Sequence, residues 1–154
     1  MDEMEFERRA RACTDRLFRV CYAILPERAD REDAIQEALI KAWRRVGTLK
    51  DETAFEGWLT RIAINECKSA LRRRQRRPEA ELSESIPARD SIPDLALHDA
   101  LMGLDLKLRM PVVLHYVEGF TLQQTAKLLR LPPGTAKRRL KQARVLLKAQ
   151  LKEE

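Results

Sequence analysis

A chain of 154 residues leaves room for one domain or two small ones, and 35% charged residues, 5% aromatics and only five glycines favour helices. Lys and Arg outnumber Asp and Glu by 30 to 24, a net charge of +6 that favours an anionic partner without saying which. Three cysteines with no CxxC pair, a charged start (MDEMEFERRA) and no long apolar run argue against a disulfide framework, a secretion signal and a membrane span.

The first predicted helix runs from Glu5 to Leu25, with Leu17, Val20, Cys21 and Ile24 at helical spacing and Pro26 as its end. The second runs from Arg31 to Val46, and Gly47 stops it. Counting 100° per residue puts Ile35, Leu39, Ala42 and Val46 on a core stripe and Asp33, Gln36, Glu37, Ile40 and Arg44 on the other side. Ile40 is then an apolar residue in an acidic and amide stripe. That pattern suits a protein-binding face and an ordinary exposed hydrophobe equally, so periodicity alone leaves the two open.

A third helix is predicted from Thr53 to Arg74. Trp58, Leu59, Ile62 and Ala63 share an apolar stripe on it, which assigns Trp58 to the core, and Trp43 beside the preceding stripe is assigned there too. Its end is cationic: Lys68, Arg72, Arg73, Arg74, Arg76 and Arg77 follow one another with no acid between. The stretch QRRPEAELSESIPARDSIPD, rich in Pro, Ser and Glu, reads as a flexible linker.

An apolar segment, Leu95 to Val117, comes next, and Pro111 inside it should kink the helix. Thr121 with Gln124 three residues on makes a capping box. The helix it opens puts Leu122, Ala126 and Leu129 on one face, and Leu131-Pro132-Pro133 ends it. The last helix buries Ala136, Leu140, Ala143 and Leu147 and turns Lys137, Arg138, Lys141, Arg144 and Lys148 outward. A short-turn helix pair whose second member is apolar inside and cationic outside is the form in which a recognition helix enters a major groove. A solvated basic face is the alternative. The absence of any acid from Gly119 to Lys152 weighs against it, because merely solvated faces mix both signs.

The run ADREDAIQEALIKAWRRV (29 to 46) resembles region 2.2, the core-binding segment of sigma factors in the sigma-70 superfamily. FEGWLTRIAINECKSALRRR (55 to 74) is similar to their regions 2.3 and 2.4, and LRMPVVLHYVEGFTLQQTAKLLRLPPGTAKRRLKQARVLL (108 to 147) is similar to region 4. Regions 2 and 4 alone, with a short linker, point to the extracytoplasmic-function (ECF) group. The resemblance implies an all-α protein: a three- to four-helix region 2 domain over residues 1–75, a flexible linker over 76–94, and a helix-turn-helix region 4 domain over 95–154.

It also implies roles. Asp33, Gln36, Glu37 and Ile40 would contact the clamp of the polymerase's largest subunit, and region 4 would reach the flap. The loop from Gly47 to Ala54 would hold a base flipped from the minus-ten element. Asn65, Lys68, Arg72 and Arg73 would bind that element, and Thr135, Lys137, Arg138, Lys141 and Arg144 the minus-thirty-five element. The implied partners are core RNA polymerase, promoter DNA and an anti-sigma factor, for a protein of the cytoplasm. Three residues depart from the family pattern: Ser69 where an acid is common, Arg130 where a Gly is common, and Arg138 where a Ser is common.

A linker of about 20 residues spans at most about 65–70 Å, so the two readers can sit on separate elements of one promoter. The residues offer no paired carboxylates in a cleft, Gly-rich phosphate loop, nucleophile with a base, or metal cluster. No catalytic or metal-binding residue, cofactor, small-molecule substrate or membrane insertion is therefore expected. A helix-turn-helix regulator that never docks on polymerase is the rival; it would leave the 33–36–37–40 stripe without a use.

Overall fold

A computed structural model describes residues 1–76 and 95–152. They form two compact units, and no strand occurs among them. The predicted linker lies outside the described residues, apart from Arg76 at its start.

The described residues of the first unit form four α-helices. Helix α1, Glu3–Ala12, starts where the Asp2 carboxylate accepts from the Glu5 amide at 2.8 Å, with Glu3 and Glu5 in its first turn and Arg9 and Arg11 in its last, as the helix dipole favours. Helix α2, Thr14–Tyr22, follows after a break at Cys13, so the single helix expected from Glu5 to Leu25 is in fact two. The Thr14 hydroxyl donates to the Ala10 carbonyl at 3.2 Å, a bond back to the preceding turn that bends helices. Phe6 and Ala10 on α1, and Leu17, Val20 and Cys21 on α2, face the core.

Helix α3, Arg28–Arg45, buries Ala34, Ile35, Ala38 and Ala42. Leu39 and Val46, expected on the core stripe, are only half-buried. The true inner face is turned toward the small residues, and it packs chiefly against helix α4, Phe55–Gln75. Small buried residues on both helices, Ala34, Ala38 and Ala42 on α3 and Ala63 on α4, suit close backbone approach. Gly47 ends α3 inside a 3-10 turn, Val46–Thr48, not through a left-handed cap. Arg31 is buried; it donates to the Leu25 and Pro26 carbonyls, both at 3.1 Å, and lies over the Tyr22 ring. It thereby satisfies main-chain oxygens in the α2–α3 connection that burial would otherwise leave unbonded.

The second unit contains helices α5, Leu95–Met102; α6, Leu106–Val112; α7, Leu122–Leu128; and α8, Pro133–Lys152. The predicted segment from Leu95 to Val117 is thus divided. Its last part, Val113–Val117, continues α6 with wider, π-type bonding, shown by the Glu118 amide donating to the Val113 carbonyl at 2.9 Å. Pro111 lies fully buried in α6, where it cannot donate to the preceding turn. Arg109 donates to the carbonyls of Leu101, Met102 and Leu104, at 3.2, 3.1 and 2.8 Å, and so closes the end of α5. Leu101, Leu104, Leu108, Val112, Leu140 and Ala143 form one core cluster, with Leu122 and Leu147 against it.

Two turns need unusual backbone. Gly119 has φ +79°, where a Cβ is disfavoured. Arg130 has φ +55° and occupies the left-handed position after α7. There its amide donates to the Lys127 carbonyl and that of Leu131 to Ala126, at 3.2 and 2.8 Å, the two bonds of a Schellman cap. The capping box at the other end of α7 is present in both directions, 3.1 and 2.9 Å. Between them Thr125, Ala126 and Leu128 are buried, while Leu122 and the predicted Leu129 are half-buried. This short helix presents its inner face one residue off the predicted line.

Candidate nucleic-acid and protein interfaces

Helix α3 separates two faces. Its alanine side is sealed in the core, and Asp33, Gln36, Glu37, Ile40 and Arg44 all stand exposed on the other. Ile40 is 41% exposed amid polar neighbours, as angle counting placed it.

Trp43 corrects the sequence reading. It is 42% exposed, not core, because the Phe6 ring of α1 covers only part of it, centroid to centroid at 5.3 Å. With Leu39 it forms one wall of a surface groove of about 370 Å³, whose other wall is α1 through Phe6, Glu7 and Ala10. The groove runs along α1 past its break from α2 at Cys13, with Thr14 also in its lining. Trp58 is half-buried against Phe55, ring centroids 5.9 Å apart, so its assignment to the core holds only in part; Phe55 is the one that is buried.

The connection from α3 to α4 is an ordered loop. The Thr48 hydroxyl donates to the Arg45 carbonyl at 2.7 Å. Asp51 accepts from the Thr53 amide and hydroxyl, at 3.0 and 2.6 Å, and these bonds hold its carboxyl below the usual range. A 3-10 turn, Glu52–Ala54, leads into α4. Residues 47, 48 and 50–54 are exposed, and Leu49 is half-buried.

On α4, Asn65, Lys68 and Arg72 follow one another at steps of three and four, hence along one face. Asn65 and Lys68 are half-buried; Arg72 and Arg73 are exposed, Arg72 donating to the Ser69 hydroxyl at 3.2 Å. One residue of the cationic run faces inward to acids instead, since Arg74 is ion-paired to Glu27 and Asp30. Lys41 on α3 is likewise paired with Glu66 on α4.

In the second unit, Lys137, Arg138, Lys141 and Arg144 are exposed on α8, and Thr135 is half-buried in its first turn. Arg144 donates to the Tyr116 hydroxyl at 3.0 Å. Ala136, Leu140 and Ala143 are buried beneath, so the inside–outside division read from the sequence holds, with Leu147 half-buried. Val117, Val145 and Leu146 are also exposed, and no periodicity argument had singled them out. Among the described residues no helix is long and apolar enough to cross a membrane, and no cluster of His, Cys, Asp or Glu could hold a metal ion.

The family described as Sigma-70 region 2 matches residues 10–77, and Sigma-70 region 4 matches residues 94–147. The ECF RNA polymerase sigma factor SigM of Mycobacterium tuberculosis is 34% identical over 122 residues, 77% of this chain, but the match spans only 62% of that protein's own length. The ECF RNA polymerase sigma-E factor of Escherichia coli is 33% identical over 134 residues, covering 75% of this chain and 70% of that protein. Among solved structures, the sigma factor RpoE in complex with the anti-sigma factor NepR from Bartonella quintana superposes with a TM-score of 0.81 at 25% identity, covering 96% of this chain and 97% of that one. Helical units with the predicted exposed faces, two successive family matches and these relatives agree: the chain belongs to the ECF group of the sigma-70 family of RNA polymerase sigma factors.

Proposed function

We propose that this chain directs core RNA polymerase to promoters. The observation that carries the proposal is the exposure of Asp33, Gln36, Glu37 and Ile40 on a helix whose opposite side is core. A stripe of that kind, with an apolar centre in a polar rim, is the pattern of a protein-docking face. It would grip the clamp of the polymerase's largest subunit, and the second unit would reach the flap.

Two cationic surfaces then read DNA. In the first unit the 47–54 loop captures an unstacked minus-ten base while Asn65, Lys68, Arg72 and Arg73 hold nearby backbone. In the second, Thr135, Lys137, Arg138, Lys141 and Arg144 engage the minus-thirty-five element from α8, the residues nearest its start reaching bases and the later ones phosphates. Residues 1–75 and 95–154 act as separate readers joined through 76–94, and tethering raises the effective concentration of the second contact. The chain works by binding in the cytoplasm, without a cofactor, small-molecule substrate or reaction of its own. By analogy with the relative solved as an anti-sigma complex, a protein inhibitor covers these surfaces.

Run-off transcription with bare core enzyme tests this. The intact chain should select start sites, and Glu37→Lys should abolish core binding in a pull-down while leaving duplex DNA binding in place. An intact chain that binds DNA but not core enzyme would replace this reading with that of a plain helix-turn-helix regulator.

A further inference from the structure

The loop proposed above to capture a base does not stand alone: α1 holds it at Glu52 and packs against the helices on either side of it. The Arg9 guanidinium donates through Nη1 to the main-chain carbonyl of Glu52 at 2.9 Å, and its Nη2 lies 3.5 Å from the Glu52 carboxylate. Arg9 is itself aimed by Glu5, one helical turn back, which accepts from its Nε at 3.1 Å. Phe6, one turn before Arg9 on α1, lies between the two helices that flank the loop. Its ring meets Trp43 in the last turn of α3 at 5.3 Å and Phe55, the first residue of α4, edge-on at 5.7 Å. Arg9 also lies over the Phe55 ring at 6.0 Å, within the range of a cation–π contact.

These contacts are specific in kind. A main-chain carbonyl accepts whatever side chain residue 52 carries, so Arg9 fixes backbone position there. A planar guanidinium with several fixed donors can bond that carbonyl, the carboxylate and Glu5 at once, which an ammonium cannot do in the same geometry. The local bonds of Asp51 with Thr53 and of Thr48 with Arg45 shape each half of the loop. The α1 contacts tie that shape to the rest of the unit, and the Met1 amino group lies 4.0 Å from the Glu52 carboxylate beside them. Phe6 and Arg9 precede the stretch matched by the region 2 family, which begins at residue 10.

We infer that α1 is a brace for the promoter-reading loop, with Arg9 as its positioning residue and Phe6 as the wedge between the two helices that flank it. The inference rests on the sigma reading. It adds that minus-ten discrimination depends on a helix that touches neither DNA nor polymerase in that role. The physical reason is preorganisation: a pocket for an unstacked base must already hold its shape, since ordering it on binding would weaken the contact.

The test uses holoenzyme made from core polymerase and the full chain, which selects DNA from a random duplex library that is then sequenced. Arg9→Ala should lose about tenfold in enrichment at the minus-ten element, the scale on which a single misread base weakens binding. Enrichment at minus-thirty-five and core affinity should stay at the level of the unaltered chain, and melting should remain a single cooperative transition. Arg9→Lys, keeping the charge but not the fork, should fall between. The brace is refuted if Arg9→Ala selects the same minus-ten sequences as before, or if it loses both elements and core binding together, as a general folding defect would. If the unaltered chain enriches no sequence, the sigma reading itself fails and takes the brace with it; that outcome is separable because it appears before any substitution is made.

Discussion

The two units use positive charge in different ways. In the first, arginines and lysines are tied into its framework. Arg74 pairs with Glu27 and Asp30, Lys41 with Glu66, Arg16 with Glu56 at 2.7 Å, and Arg9 with Glu5 and Glu52. In the second, the outward cations of α8 stand in a stretch that has no acid from Gly119 to Lys152. A run of basic residues therefore means different things in the two halves. In the first, part of the charge joins helices to one another. In the second, it is presented to whatever anion arrives.

The largest effect that separates them comes from the core under the α8 cations. Leu140→Ala should cost about 2–5 kcal/mol, since Leu140 lies among Leu101, Leu104, Leu108 and Val112. Amide exchange should show the loss confined to residues 95–152; a matching loss over 1–76 would mean the units are not energetically separate.

A smaller effect opposes Arg74 to Arg73. Arg74→Ala should cost roughly 1–2 kcal/mol of stability, because Glu27 and Asp30 lose a partner in a partly shielded site, with little change in DNA affinity. Arg73→Ala should leave the melting temperature unchanged and weaken DNA binding. Calorimetry beside salt titration of DNA binding decides between these roles. If both substitutions act on DNA alone, the division of labour within the run is wrong.

On α8, Lys141→Ala should weaken duplex binding across sequences and reduce the slope of log affinity against log salt by about 1, with no loss of stability. The smallest effect is at the turn between the two helices of the reader. Arg130→Gly should stabilise the second unit by about 0.5–1 kcal/mol, since φ +55° costs an L residue and not glycine. Destabilisation on thermal melting would mean that the guanidinium contributes more than the backbone strain takes away.

Much of this was legible in sequence, and the reasons are local. The inner residues of α8 stand at steps of four, three and four in a helix of 20 residues, so small errors in angle do not change which side they occupy. The exposed stripe on α3 was readable for the same reason. Arg130 stood out against the family pattern where a glycine is usual, and the structure gives the cause: a left-handed cap.

What escaped involved distant partners or a single side-chain bond. The first helix breaks at Cys13, beside the Thr14 hydroxyl's bond to the Ala10 carbonyl, and periodicity does not register such a feature. The partners of Arg74 lie 44 and 47 residues away, so it read as one more cation in a run. Trp43 was assigned inward because it borders the apolar stripe. Its 42% exposure shows that the contact with the Phe6 ring covers only part of it.

All three cysteines belong to the first unit, where each is buried, and the second unit contains none. Cys21 sits beside Cys67; the hydrogen bond between them and their burial raise the Cys21 thiol well above its ordinary range, so it stays protonated and inert while the helices are closed. An alkylating reagent can then reach Cys21 only when this half opens. Its rate of labelling becomes a clock that ticks for one half of the molecule and is deaf to the other. Timed with and without core enzyme or DNA, that clock would show which ligand fastens the amino-terminal half.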